Sequence, residues 1–494
     1  MLDLDPDHCY RILQTRDPRF DGRIFVGVTS TGIYCRPICP ARTPKPEHCR
    51  FFPTAAAAQA RGFRPCLRCR PETAPGQGAW RGASSTVSRA MRLIAEGGLD
   101  EDASVGDLAG CLGVGERQLR RLFRQHLGAS PVAIAQNRRV HFAKQLIHET
   151  RLPMAEVALA SGFGSVRRFN DTFAKLFKRP PGELRRIGQR DPADAAAPVT
   201  LRLTYRGPYD WPAMLGFLGA RAIAGVEVGE ADRYRRVVRI GETVGRIEVS
   251  HLAARRCLVA AIRCPDVRAL PAIVTRLRAL FDLDADLDVI GVHLARDPRL
   301  APLVARRPGL RVPGCWDGFE LAVRAILGQQ ITLQGGRTLA GRLTAACGTR
   351  LEGEGALSHA FPTPRQLADG DLGMVGLTTA RAAALKALAG AALADPRLFE
   401  PAASLDEAVA RFRALPGVGE WTAQYIALRA LREADAFPAA DIGLMQGHAA
   451  EGEPRPTPKQ LLQHAEAWRP WRAYAAQHLW AAYAARKPGK SKAA

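Results

Sequence analysis

The sequence predicts a multidomain α+β protein: a small metal-bound α/β head, an all-α middle, a mixed β-sheet and a long all-α bundle. Three observations predict it. At 494 residues the chain exceeds the roughly 250 at which single hydrophobic cores stop growing, and suggests about three domains. Six of its 11 cysteines, Cys9, Cys35, Cys39, Cys49, Cys66 and Cys69, crowd into the first seventy residues. Apolar residues recur with period two from Thr200 to Val249 and with helical period from Gly318 onward, the signatures of half-buried strands and of packed helices.

The formal net charge is +22, and a chain that basic normally faces a polyanion, because each Lys or Arg that neutralises a phosphate releases counterions. The first 190 residues hold 31 Lys/Arg against 17 Asp/Glu, so much of that contact is expected there. A membrane surface is disfavoured, since no apolar run of eighteen residues occurs. Met1 to Asp7 alternates acidic and apolar residues, unlike a secretory signal, and the expected location is the cytoplasm. Thiols stay reduced there, which turns the clustered cysteines toward metal or thiolate chemistry. Cys111, Cys257, Cys264, Cys315 and Cys347 sit among apolar neighbours and are expected to be ordinary buried residues.

Two stretches rich in Pro, Gly, Ala and Ser, Arg70 to Ser85 and Gly188 to Pro198, read as linkers. The expected domains are therefore 1–75, 84–187, 199–310 for the sheet and 311–487 for the bundle.

In the head, Cys35-x3-Cys39, then 26 residues, then Cys66-x2-Cys69 supplies two short-loop thiol pairs able to hold one Zn²⁺ tetrahedrally at about 2.3 Å. By spacing alone a purely structural zinc site is the commoner reading. The segments Thr31-Gly32-Ile33-Tyr34-Cys35-Arg36-Pro37, Phe52 to Ala58 and Gly62 to Pro71 resemble the N-terminal module of the Ada family of methyl acceptors. That resemblance implies that Cys35 takes a methyl group irreversibly from a DNA methylphosphotriester while Zn²⁺ holds Cys35, Cys39, Cys66 and Cys69. Metal binding keeps a thiolate deprotonated, so one sulfur can be both ligand and nucleophile. Cys9 and Cys49 lack the paired spacing and receive no role.

In the middle, Ser104 to Ala109, a turn at Leu112-Gly113-Val114-Gly115 and a helix from Glu116 to His126 repeat as Met154 to Ala158, Ser161-Gly162-Phe163-Gly164 and Ser165 to Phe177. Each is a helix, a Gly turn and a second basic helix able to enter a major groove. The pair, with Phe177-Lys178-Arg179-Pro180-Pro181-Gly182-Glu183-Leu184-Arg185, resembles the AraC-type regulators, which implies DNA contact by Arg117, Arg120, Arg121, Arg167 and Arg168.

In the bundle, Leu415-Pro416-Gly417-Val418-Gly419-Glu420-Trp421 offers a Gly-rich turn whose backbone N–H groups can approach a phosphate closely. Asp441 follows Trp421 by twenty residues; taken alone, an Asp in Pro-Ala-Ala-Asp is more often a helix N-cap. This pairing, with Tyr209 to Phe217, Leu310 to Cys315, Arg324 to Gln330 and Trp468 to Arg472, is similar to the AlkA type of helix-hairpin-helix 3-methyladenine glycosylase over nearly everything after Val199. The similarity implies hydrolysis of the N-glycosidic bond of alkylated purines, with Asp441 stabilising positive charge on the sugar. It also implies phosphate contact by Gly417, Val418 and Gly419, and an aromatic base pocket of Phe217, Trp421, Tyr425 and Trp480. Gln330 stands where the family places a Leu wedge. Relatives that cut the strand carry a Lys where this chain has Trp421, and Trp cannot form a Schiff base; a monofunctional enzyme is expected.

The Pro-Cys-His-Arg acceptor sequence of Ada-family methyltransferase domains is absent from the sequence, so repair of alkylated guanine oxygen is not expected. The expected partners are double-stranded DNA, both alkylated and promoter, and RNA polymerase, the protein itself being a monomer. The alternative is a methylation-activated regulator with an inactive glycosylase domain.

Overall fold

Four short strands build the head in the computed structural model, which describes residues 4–75, 85–99, 103–185, 198–352 and 355–486. β1 (Phe25–Val28), β2 (Ile33–Cys35), β3 (Cys49–Phe52) and β4 (Arg64–Pro65) lie in the order β3-β1-β2-β4. β1 turns into β2 through Gly32 at φ +64°, a backbone angle that favours glycine. β2 and β4 pair in parallel with Tyr34 opposite Pro65, and the Cys66 N–H donates to the Tyr34 carbonyl at 3.0 Å. That register brings Cys35 and Cys66, the residues that follow, beside one another.

The described residues form two compact units. One comprises Met1–Arg206, Val238–Arg278 and Leu283–Ala285, the other Gly207–Val237, Ala279–Asp282 and Asp286–Ala494. The first contains the head, the helical middle and an antiparallel ladder of β5 (Val199–Thr204), β9 (Cys257–Arg263) and β8 (Thr243–Leu252). In the second, β6 (Glu227–Gly229) pairs antiparallel with the start of β7 (Arg233–Ile240). These ladders are all antiparallel, and it is the head whose sheet is mixed.

The helical middle forms as its spacing predicts. Ser104 caps Val105–Cys111 in a capping box with Asp107, Gly113 at φ +65° makes the turn, and Glu116–Leu127 buries Leu119, Phe123 and Leu127 at every fourth position. The second copy, Met154–Ala160 and Val166–Phe177, turns at Gly162 (φ +74°) and buries Phe169, Phe173 and Phe177 with the same period. The helix Pro131–Glu149 connects them and is fastened to the head. Its Lys144, fully buried, meets the equally buried Glu72 at 2.7 Å, and Arg70 holds the other Glu72 oxygen at 3.0 Å. The linker reading of Arg70 onward fails for Arg70–Pro75, where Glu72 is tied to Lys144 and Arg70, and these residues go with the head, as the expected boundary at 75 has them. Residues 76–84 of that linker and 188–197 of the other lie outside the described residues.

In the second unit the helix Gly318–Leu327 is buried on nearly every side, and Gly318 is required because a Cβ there would come within 2.7 Å of the Phe399 ring. Asp282 is a buried hub that accepts from the Val312 N–H at 3.1 Å and the Tyr474 hydroxyl at 3.1 Å and pairs with Arg432. Cys257 and Cys347 are buried as expected, whereas Cys111, Cys264 and Cys315 are half-buried. Among the described residues no helix is long and apolar enough to cross a membrane.

Candidate catalytic cleft and metal centre

The four head cysteines converge: their sulfurs all lie within 4.8 Å of one another. Four sulfurs at about 2.3 Å around one Zn²⁺ would be about 3.8 Å apart, so the set fits one tetrathiolate zinc. Three of the ligands are buried and Cys35 is half-buried. The Arg36 N–H donates to the Cys69 sulfur at 3.4 Å, and backbone N–H groups of Ala41 and Cys69 serve Cys39 and Cys66. The Arg36 side chain pairs with Asp21 and donates to the Cys69 carbonyl at 3.2 Å, which locks the loop carrying the metal ligands. Nothing in the local spacing announced Asp21, fifteen residues away.

On the helix-turn-helix units Arg117, Arg121, Arg167 and Arg168 are exposed, and Arg120 is half-buried against Glu116 at 2.6 Å. These cations share the solvent faces of the two second helices, opposite the buried Leu and Phe rows.

The second unit holds a cleft of about 1310 Å³ lined by Asp441, Phe217, Trp421, Tyr425 and Trp480 together with Gln330 and Gly419. Asp441 is the N-cap of Ile442–His448, its Oδ1 accepting the Leu444 N–H at 3.0 Å. The same oxygen accepts the Trp480 indole N–H at 2.9 Å, and Oδ2 accepts the Trp421 indole N–H at 2.9 Å. Capping and presentation to the cleft are therefore one arrangement. Gly443 makes room for it, because a Cβ there would sit 3.0 Å from Oδ1 and 3.2 Å from Trp480 and Tyr483.

The hairpin joins Leu405–Arg413 to Glu420–Arg429. Gly417 turns at φ +77° with Ala384 against it, Val418 is buried, and Gly419 caps the second helix. Gln329 donates to the Gly417 carbonyl at 2.9 Å and the Thr422 hydroxyl at 3.1 Å, and Arg381 donates to the Gln329 carbonyl at 2.7 Å. The exposed Gln330 is held beside this tie at φ +58°.

The four aromatics line one cleft, but their faces are already in use. Trp421 stacks on Tyr425 at 5.1 Å and 8°, and Phe217 carries the guanidiniums of Arg221 and Arg429, 3.8 and 4.5 Å from its centroid. Sequence reasoning missed both arginines. Arg429 was findable, since it continues the four-residue spacing of Trp421 and Tyr425 along one helix face. Also missed was the buried quartet behind them: Arg324 meets Glu227 at 2.6 Å and Glu320 at 2.9 Å, and Arg236 meets Glu320 at 2.7 Å.

Residues 8–72 match the metal binding domain of Ada, residues 108–187 a helix-turn-helix domain and residues 200–317 the AlkA N-terminal domain. A probable bifunctional transcriptional activator/DNA repair enzyme AlkA of Mycobacterium tuberculosis is 44% identical over 482 residues, 96% of either chain. DNA-3-methyladenine glycosylase 2 of Escherichia coli is 36% identical over 281 residues, 56% of this chain and 95% of that one. A solved 3-methyladenine DNA glycosylase from Archaeoglobus fulgidus shares the fold, with TM-score 0.50 and 21% identity over 57% of this chain and 98% of its own.

Proposed function

This chain belongs to the family of bifunctional transcriptional activator/DNA repair enzymes of the AlkA type, and from that premise we propose that it excises alkylated purines such as 3-methyladenine and accepts methyl groups from the DNA backbone at Cys35. The boundaries 1–75, 84–187, 199–310 and 311–487 separate the acceptor, the double helix-turn-helix, the sheet and the glycosylase bundle. The observation that carries the reading is Asp441, whose carboxylate accepts two indole N–H groups and one backbone N–H at the edge of an aromatic cleft.

A methylated purine leaves the stack for the cleft, with Gln330 occupying the gap and the hairpin N–H groups of Gly417 and Gly419 holding the phosphate, while the Val418 N–H, expected to join them, donates instead to the Leu415 carbonyl at 3.2 Å. The bond from C1′ to the base nitrogen breaks with its electron pair going to the base. Asp441 stabilises the positive charge left on the sugar, water adds to C1′, and its proton leaves to solvent or carboxylate. Trp421 offers no amine to the sugar, so the product is an intact strand with an abasic site.

In the head, bound Zn²⁺ keeps the four sulfurs deprotonated. Cys35 is the half-buried one, and the backbone N–H groups on the other three draw electron density from those sulfurs. Its thiolate attacks the methyl carbon of the phosphotriester, the C–O bond breaks, and the electron pair stays on the phosphodiester. Arg117, Arg120, Arg121, Arg167 and Arg168 bind promoter DNA, RNA polymerase is the partner of the activated form, and the protein works as a cytoplasmic monomer. The test is release of free 3-methyladenine from methylated duplex. Wild type releases it without strand cleavage and Asp441→Asn does not; absence of release by wild type overturns the enzymatic half and leaves a methylation-activated regulator.

A further inference from the structure

Among the described residues three arginines of the cleft have no carboxylate partner: Arg337, which donates to the Ala222 carbonyl at 3.1 Å and to Gln334 at 3.2 Å, and the two that lie against the aromatic set, Arg221 and Arg429. Arg429 is 2% exposed; its Nη1 donates to the Pro313 carbonyl at 2.8 Å, its Nη2 to Gln477 at 3.3 Å, and its Nε has no partner. Arg221, half-buried, donates to the Phe217 carbonyl at 3.3 Å, and the Arg429 guanidinium lies 5.5 Å from the Tyr425 ring centroid. Their neighbours Arg236 and Arg324 are balanced by Glu227 and Glu320, but among the described residues neither Arg221 nor Arg429 forms an ion pair. Burial pulls Arg429 down to about 10, which leaves it charged at neutral pH. Unpaired buried charge is costly and concentrates where function uses it. Trp480 touches both poles of the cleft: its indole N–H holds Asp441 at 2.9 Å, and its ring lies 5.2 Å from the Arg429 guanidinium.

We propose that Arg221 and Arg429 form the positive pole of an electrostatic gradient across the scissile bond, with Asp441 the negative pole, so that the cleft drives positive charge from the base to the sugar. The inference rests on the excision reading above. A ring-methylated purine enters as a cation and leaves neutral, while a neutral base leaves as an anion that then takes a proton from solvent. Either way the base loses one unit of positive charge as the bond breaks and its electron pair moves onto the ring nitrogen. A guanidinium beside the base therefore opposes binding of a cationic lesion and favours the transition state, whereas it leaves binding of a neutral lesion unchanged. Half a unit charge displaced about 6 Å from a guanidinium, at an effective dielectric of about 20, corresponds to about tenfold in rate.

The experiment measures single-turnover release and half-saturating enzyme concentration on a duplex containing 7-methylguanine, a cationic base, for wild type, Arg221→Met and Arg221→Lys. Binding to a deoxyinosine duplex, whose base is neutral, is measured in parallel. The gradient requires Arg221→Met to release about tenfold more slowly while binding the 7-methylguanine duplex more tightly and the deoxyinosine duplex unchanged, with Arg221→Lys restoring most of the rate. Slower release with weaker binding on both duplexes, or an Arg221→Lys variant as slow as Arg221→Met, assigns the arginine a packing role and overturns the proposal. So does an unchanged rate. If wild type itself releases nothing, the excision reading falls first; if wild type is active and the split is absent, the gradient alone falls.

Discussion

Replacing Trp421 by Phe keeps an aromatic ring against Tyr425 but removes the indole N–H that Asp441 Oδ2 accepts at 2.9 Å. Oδ1 retains two donors, the Trp480 indole and the Leu444 N–H, so the carboxylate stays capped and loses its only donor on the other oxygen among the described residues. A hydrogen bond to a charged group contributes about 1.5–3 kcal/mol. If that sum is lost from the oriented transition state, release slows about ten- to hundredfold, at 1.36 kcal/mol per decade. Trp480→Phe removes one of two donors on Oδ1, and the remaining backbone N–H limits the loss to about tenfold or less. The ranking is the content of the prediction, because either Trp could be called an aromatic wall of the cleft. Single-turnover release of 3-methyladenine from methylated duplex, with folding followed by near-ultraviolet circular dichroism, reads it out. A Trp421→Phe enzyme within twofold of wild type, or a Trp480→Phe enzyme the slower of the two, refutes the view that these indoles orient Asp441.

Gly443→Ala places a methyl group 3.0 Å from Asp441 Oδ1 and 3.2 Å from Trp480 and Tyr483 in a helix that alanine otherwise favours; excision should fall about tenfold while the urea midpoint holds or rises. Burial, with Arg307 adding to it, pushes His478 down to about 4, so between that value and about 6.5 the unfolded chain binds a proton that the folded chain refuses. Stability from this group is complete above about pH 6.5 and declines by about 3 kcal/mol as pH falls to 4; His478→Gln should flatten the slope of urea stability against pH, and an unchanged slope would show that the histidine does not titrate as described. Methylating Cys35 changes the zinc-thiolate centre from charge −2 to −1, and fluorescence anisotropy at low salt should find DNA bound severalfold more tightly, with the difference shrinking as salt rises; equal affinities at low salt would remove the charge argument.

The sequence by itself determined the order of the segments, the ligand set and the position of the candidate carboxylate. Each short loop keeps its own two thiols together, though it is the parallel pairing of β2 with β4 that brings the two pairs to one point, and four-residue periodicity buries Leu119, Phe123 and Leu127 or Phe169, Phe173 and Phe177 whatever they pack against. Asp441 was readable as a cap or as a site residue, and in the folded chain it is a cap whose carboxylate lines the cleft. Only the tertiary structure decided which groups face one another across long stretches of chain. Trp480 reaches Asp441 over 39 residues and Arg324 reaches Glu227 over 97, while Lys144 reaches Glu72 over 72 and so ties the end of the head to the helix Pro131–Glu149. Local spacing encodes which face of an element is buried, but the partner it meets, and whether an arginine beside an aromatic ring is balanced by a carboxylate, depend on how distant faces pack. The charge of the cleft is for that reason a property of the fold.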